Sequence, residues 1–265
     1  MNNRYIGALL LAPFIIFIFL GGYFLKYGIL ALSLLGLYEF YKVVKTKDIH
    51  PLNIFSYTLC IIYYFFLNTD YSMTFVIPII FIFVFVSFCI PIINTNYNFI
   101  DIAITILGFL YVPVMFSFIP SVEASKGGKY LVWFIFISAW LCDIFAYYFG
   151  KYLGNKKLCP KVSPKKTIVG SLGGILGSTL GCTLLGIYSN SQSLSIPIYN
   201  YILIGLLCGV FCQFGDLFAS SIKRYVGVKD YSHLIPGHGG ILDRFDSILF
   251  AGTVVYYYIT FILVI

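Results

Sequence analysis

Residues 73–94 read MTFVIPIIFIFVFVSFCIPIIN, 22 residues without a single charge. As an α-helix rising 1.5 Å per residue, this stretch is about 33 Å long, enough to cross a hydrocarbon layer about 30 Å thick. Pro78 and Pro91 do not disqualify it, because in lipid the carbonyls they free are satisfied by neighbouring helices. Working outward, eight more apolar segments obey the same rule: roughly 5–22, 27–44, 52–68, 99–120, 129–149, 168–188, 198–219 and 241–264. Only Gly21, Gly22 and Lys26 separate the first two. The 265 residues are 60% hydrophobic and 10% charged, whereas a soluble domain carries about 25% charged residues. The expectation is an all-α polytopic membrane protein of about nine transmembrane helices. It forms a single integral membrane domain over 1–265, with N-terminal helical spans in 1–120 and most polar chemistry in 121–265.

The basic residues orient the spans. With the N-terminus cytoplasmic and the C-terminus outside, 14 of the 17 lysines and arginines fall on the inner side, as the positive-inside rule requires. Lys26, Lys126 and Lys129 fall outside, and the connection 188–197 carries no charge. The N-terminal apolar run lacks a small-x-small cleavage site and reads as a retained first span. A net charge of +7 fits interfacial lysines facing anionic headgroups or a phosphorylated substrate, and no nucleic-acid partner is expected. Six of the seven cysteines lie in apolar runs, Cys159 being the exception, and no C-x-x-C occurs. They read as free thiols packed as small hydrophobes.

Charge inside a bilayer is costly and marks function by default. Asp143 lies in AWLCDIFAYYFG, Asp216 in FCQFGDLFASS, and Asp243 and Asp246 open the last segment in GILDRFDSILF. At i and i+3 the last two share a helix face. Carboxylates gathered at one depth repel unless a cation holds them. Mg²⁺ suits them, since it takes one or two carboxylates and leaves its other positions to water and phosphate. Arg244 neutralising a buried ion-pair network is the competing reading, and for Asp143 so is a proton relay or helix packing.

Two polar stretches beside the acids suit phosphate. Ser163-Pro164-Lys165-Lys166-Thr167 precedes Gly170, Gly173 and Gly174. Its lysines supply point charges, and Thr167 offers a hydroxyl at a helix start. The second stretch runs from Lys223-Arg224 through Lys229-Asp230 to Pro236-Gly237-His238-Gly239-Gly240. A lysine pair before a span also serves as a topological anchor, the paired glycines also serve helix packing, and His238 also serves to shape a turn. No G-x-x-x-x-G-K-[ST], G-x-S-x-G or H-E-x-x-H occurs, so a P-loop, a serine elbow and a zinc-protease site are unsupported. The residues read as metal-assisted phosphoryl or nucleotidyl chemistry at the cytoplasmic face, on a substrate that enters laterally from the membrane.

The run SIKRYVGVKDYSHLIPGHGGILDRFD (221–246), with Ser220 before it, resembles the signature of the phosphatidate cytidylyltransferase family. Ser220, Lys223, Arg224, Lys229, Asp230, Ser232, Pro236, His238, Gly239, Gly240, Asp243, Arg244 and Asp246 each stand where that pattern expects them. Upstream, Asp143 through Gly154 to SPKKT is also similar. There Phe145 replaces a usual glycine and Val169 a usual glutamate, and Glu39 holds a position compatible with the family.

The resemblance implies CMP transfer from CTP to phosphatidic acid, giving CDP-diacylglycerol and pyrophosphate for phospholipid synthesis. It implies Mg²⁺ or Mn²⁺ on Asp216, Asp243 and Asp246, with a second cation nearby. Lys223, Arg224, Arg244 and His238 would complete the catalytic set. Ser163, Lys165, Lys166, Thr167, Lys229, Asp230, Gly239, Gly240 and Asp143 would bind substrate. A homodimer in a bacterial inner membrane, with the site on the cytoplasmic side, is the accompanying expectation. The competing activities are a CTP-dependent lipid kinase of polyprenol type and an ion-coupled transporter.

Overall fold

The computed structural model describes residues 14–69, 72–192, 194–237 and 239–265. The elements are α1 (Gly22–Val44), α2 (Asn53–Phe66), α3 (Ser72–Ile93), α4 (Phe99–Phe109), α5 (Met115–Glu123), α6 (Gly128–Leu153), β1 (Lys157–Cys159), β2 (Ser163–Thr167), α7 (Ile168–Ser191), α8 (Ile198–Val226) and α9 (Leu242–Tyr257). Residues 14–20 are also helical. A π-helical turn, Leu110–Val114, joins α4 to α5. It contains Pro113, which has no N–H for the α-helical ladder, and a wider turn is one way such a break is absorbed.

Among the described residues seven helices are long and apolar enough to cross a membrane, so the count of nine is not reached. Most of the expected first span, 5–22, lies outside the described residues. The expected span 52–68 is a helix of only 14 residues, about 21 Å long and short of a full crossing. Lys26, expected in an outer connection, instead sits on α1 and is buried. Its ammonium donates to the carbonyls of Leu67 at 2.5 Å and Phe65 at 3.4 Å, cations being favoured at a helix C-terminus.

The chain packs as two compact units, one within Met1–Ser121 and Val226–Asp243, the other within Val122–Tyr225 and Arg244–Ile265. The segment 226–243 thus groups with the N-terminal helices.

In the first unit, buried hydroxyls cross-link the helices. Tyr41 donates to Ser56 at 2.9 Å and to the Thr105 carbonyl at 2.8 Å, and the Ser33 and Tyr64 hydroxyls meet at 2.8 Å. In lipid such bonds and close packing replace the hydrophobic drive between helices.

The second unit is organised by glycines on α7. A Cβ at Gly170 would come 2.7 Å from the Ala146 carbonyl oxygen, and one at Gly173 would come 2.6 Å from Phe149. At Gly177 it would meet Phe145 at 2.5 Å. This face lets α6 and α7 approach closely, the packing reading of Gly173-Gly174. Phe145 is therefore accommodated by Gly177, and its ring stacks on Phe149 with centroids 6.0 Å apart. All seven cysteines are free.

Candidate active site

The polar stretch Ser163–Thr167 is the second strand of an antiparallel hairpin over 157–167, with Lys157 opposite Thr167 and Cys159 opposite Ser163. Strand β2 runs straight into α7, and the hinge between them is Thr167. Its hydroxyl accepts from the Gly170 N–H at 3.1 Å, an N-cap that satisfies one of the orphan donors of the helix. The Thr167 end of the hairpin lies against the end of α6, where Gly150 and Gly154 leave room for its hydroxyl, and Lys165 and Lys166 are the last positions before the cap. Val169 is the second residue of α7 and half-buried.

Asp143 of α6, Asp216 of α8, Lys165, Lys166, Thr167 and Gln213 line one cavity of about 310 Å³. In it the Lys166 ammonium lies 2.5 Å from Asp216 Oδ2, both side chains being partly exposed at 24% and 30%. Ser220, one turn along α8, donates to Asp216 Oδ1 at 3.2 Å. Gln213 anchors α8 to α7 by donating to the Ser171 carbonyl at 3.0 Å. Gln213 was not foreseen, because a glutamine in an apolar run carries no charge signal.

Asp246 joins the acids of this unit. Helices α8 and α9 touch at Gly215, where a Cβ would come 2.5 Å from the Asp246 carbonyl oxygen. Asp246 is 7% exposed and Lys223 likewise 7%. Asp246 feels the charges of Asp216, Lys223 and Asp143, and Asp143 those of Asp216, Lys166 and Arg244. Lys223 and Arg224, expected at the start of a loop, lie in the last turn of α8. Arg224 donates to the Val162 carbonyl at 3.3 Å, tying that turn to the hairpin. Six expected residues (Asp143, Lys166, Asp216, Lys223, Arg244 and Asp246) thus form one electrostatic group, with Lys165 and Thr167 on its cavity wall. Ser163 starts β2 at the hairpin end.

The remaining expected residues belong to the first unit. Gly227, at φ 83°, ends α8 with the left-handed residue common past a helix C-terminus. Lys229 is exposed and Asp230 half-buried in the turn that follows. Asp243 Oδ2 accepts from the Tyr231 and Gly240 N–H groups, each at 2.9 Å. Gly239 has φ 83° and bridges to Ile235. Asp243, Gly239 and Gly240 therefore hold the turn, whatever else they do, while His238 lies outside the described residues.

Against Gly240 stands Glu39 of α1, whose carboxylate oxygens would lie 2.6 and 2.7 Å from a Cβ there. Glu39 is fully buried. It was noted in the sequence only for its compatible position, although a glutamate inside an apolar segment is itself a signal.

Among the described residues no three His, Cys, Asp or Glu side chains gather as a ready cage for a metal ion. The donor chemistry still suits a hard divalent cation. The carboxylates are oxygen ligands, and the Lys166 ammonium on Asp216 occupies the kind of place a cation takes. One or two carboxylates suffice for Mg²⁺ when phosphates and water supply the rest.

A model of the cytidylyltransferase family matches residues 2–262. The chain is 35% identical over 157 residues to a protein of Staphylococcus saprophyticus named phosphatidate cytidylyltransferase, a match covering 59% of this chain and 58% of that one. Proteins of the same name from Staphylococcus epidermidis and Staphylococcus aureus are 32% identical over 157 residues and 33% over 159, with the same coverage. The chain thus spans under two thirds of the length of these relatives.

Proposed function

We propose that this chain, which belongs to the cytidylyltransferase family, transfers CMP from CTP to phosphatidic acid. A phosphate oxygen of the lipid attacks the α-phosphorus of CTP. A new P–O bond forms, the bond from the α-phosphorus to the α–β bridging oxygen breaks, and pyrophosphate leaves with that oxygen. The observation that carries this reading is the cavity in which Lys165 and Lys166 meet the carboxylates of Asp143 and Asp216. Such a site binds a polyphosphate and a cation together.

Lys165 and Lys166, on a hairpin held by the Thr167 cap, neutralise the triphosphate. Lys223 and Arg244 do the same for the lipid phosphate, and Asp143 and Asp216 keep these cations oriented. Catalysis is then positioning and charge neutralisation in a site of low dielectric, with no covalent intermediate on the protein. Mg²⁺ or Mn²⁺, held by Asp216 and Asp246, would supply Lewis-acid polarisation of the phosphates. Asp243, the third carboxylate of the expected metal set, is given the task of holding its own turn.

The accumulation of lysine and arginine on one side supports a cavity at the cytoplasmic face, and the bacterial relatives support a plasma membrane as its location. The resemblance supports a homodimer there.

The test uses the purified chain in lipid nanodiscs with CTP, phosphatidic acid and Mg²⁺, following lipid-linked CMP and pyrophosphate. Both products should appear in equal amounts. Release of CDP with a phosphorylated lipid would replace the reading by a lipid kinase, and ion uptake into sealed vesicles without nucleotide by a transporter.

A further inference from the structure

We infer that Glu39, on a helix far from the signature in sequence, is a positioning residue for the α9 end of the active site. Its carboxylate accepts from the Ser232 hydroxyl at 2.6 Å and the Ile241 N–H at 2.9 Å on Oε1, and from the Leu242 N–H at 2.9 Å on Oε2. Ile241 and Leu242 supply two of the N–H groups that the start of α9 leaves unpaired. A carboxylate is favoured there by hydrogen bonding and by the helix dipole together. Glu39 thus caps α9 from a chain position about 200 residues away.

The cap fixes more than a helix end. Asp243, Arg244 and Asp246 occupy the first two turns of α9, so its start sets where their side chains point. Through Ser232 the same carboxylate grips the turn 231–240, whose other end is held by Asp243 Oδ2 on the Tyr231 and Gly240 N–H groups. Gly240 has no Cβ because one would collide with Glu39. Two carboxylates, one from α1 and one from α9, therefore hold this turn from opposite sides. No other residue type does Glu39's task equally well. Glutamine offers one acceptor and turns an N–H₂ toward a donor, and aspartate is one methylene short.

The inference rests on the proposed CMP transfer for its kinetic consequence and on geometry alone for the cap. The test compares Glu39→Ala, Glu39→Gln and Ser232→Ala with the unaltered chain in nanodiscs. Amide hydrogen exchange is followed on peptides covering 239–246, and kcat and KM are measured for CTP and phosphatidic acid, per folded molecule. In Glu39→Ala the Ile241 and Leu242 amides should exchange at least tenfold faster. The value of kcat/KM for phosphatidic acid, whose phosphate is assigned to Arg244 on α9, should fall at least tenfold, with KM for CTP within twofold. Glu39→Gln should lie between, and Ser232→Ala, which removes one hydroxyl, should show the mildest form of the same pattern.

Unchanged exchange at 241 and 242 would overturn the cap. Faster exchange with kcat/KM for phosphatidic acid within twofold of the unaltered chain would overturn the positioning role and leave Glu39 a packing residue. Should Glu39→Ala not fold, Glu39→Gln and Ser232→Ala carry the same two comparisons. An unaltered chain that transfers no CMP would sink the proposed reaction, while the exchange measurement still decides the cap.

Discussion

Asp216 and Glu39 are both acids in membrane-spanning helices, yet they are partnered in opposite ways. Asp216, 30% exposed on a cavity, faces one lysine ammonium and one hydroxyl. Glu39 is fully enclosed and saturated by two backbone N–H groups and a hydroxyl. Neutral donors fixed on the backbone cannot leave when a ligand arrives, whereas a lysine side chain has the rotamers to do so. An acid of the first kind is available for chemistry, and one of the second kind holds structure. The type of partner, more than the charge or its depth, separates the two roles.

The sharpest way to break this comparison is Asp216→Asn. If Asp216 is the reactive kind, CMP transfer should fall by about 10²–10³-fold. Stability should change by less than about 1 kcal/mol, because a partly exposed ion pair contributes little to folding. Rate assays and thermal unfolding on the same preparation measure both. A large loss of stability with normal kcat per folded molecule would move Asp216 into the class of Glu39.

Lys166 gives the next largest effect. Lys166→Met keeps the length of the stem and removes the charge, and should reduce transfer about 10–100-fold, chiefly through KM for CTP. Lys166→Arg should restore it only in part, since a planar fork does not replace a compact ammonium at 2.5 Å from one oxygen. Equal KM values in all three chains would show that Lys166 anchors topology and does not bind nucleotide.

The glycine face of α7 extends the comparison to packing. Gly177→Ala puts a methyl 2.5 Å from Phe145 Cγ and 2.7 Å from the Leu141 carbonyl oxygen, so it should cost about 1–3 kcal/mol by overpacking. Adding Phe145→Ala should recover part of that loss in a double-mutant cycle. It should not recover all of it, because the Leu141 carbonyl does not move away. Strict additivity would mean that α6 and α7 relax apart instead of sharing this contact.

How much of this was legible in the sequence follows from the range of each interaction. The spans are local, set by composition over about 20 residues, and seven of the nine apolar segments recur as helices long enough to cross a membrane. The 14-residue α2 was misjudged because the flanking Leu52 and Leu67 extend the apolar run without being helical. The acids near the signature were visible because charge in lipid is conspicuous. The hairpin 157–167 was not, since Pro164 and its lysines disfavour strands and only the cross-strand partner makes the pairing. Glu39 was seen as a position and missed as a cap, because its donors lie about 200 residues along the chain and only folding brings them together.

The smallest predicted effect separates two tasks that meet in one side chain. Thr167 was expected to offer its hydroxyl to phosphate, and it lines the cavity. Its oxygen accepts from the Gly170 N–H at 3.1 Å, which leaves its proton to donate. Thr167→Val removes acceptor and donor alike. The lost cap should cost about 1 kcal/mol of stability, and any phosphate contact should appear separately as a rise in KM for CTP. Thr167→Ser keeps both functions in the same place and should match the unaltered chain in stability and KM. If Thr167→Val loses stability while KM for CTP holds within twofold, the hydroxyl only caps α7. Thr167 would then belong with Glu39, as a residue that serves the site by fixing the backbone that carries it.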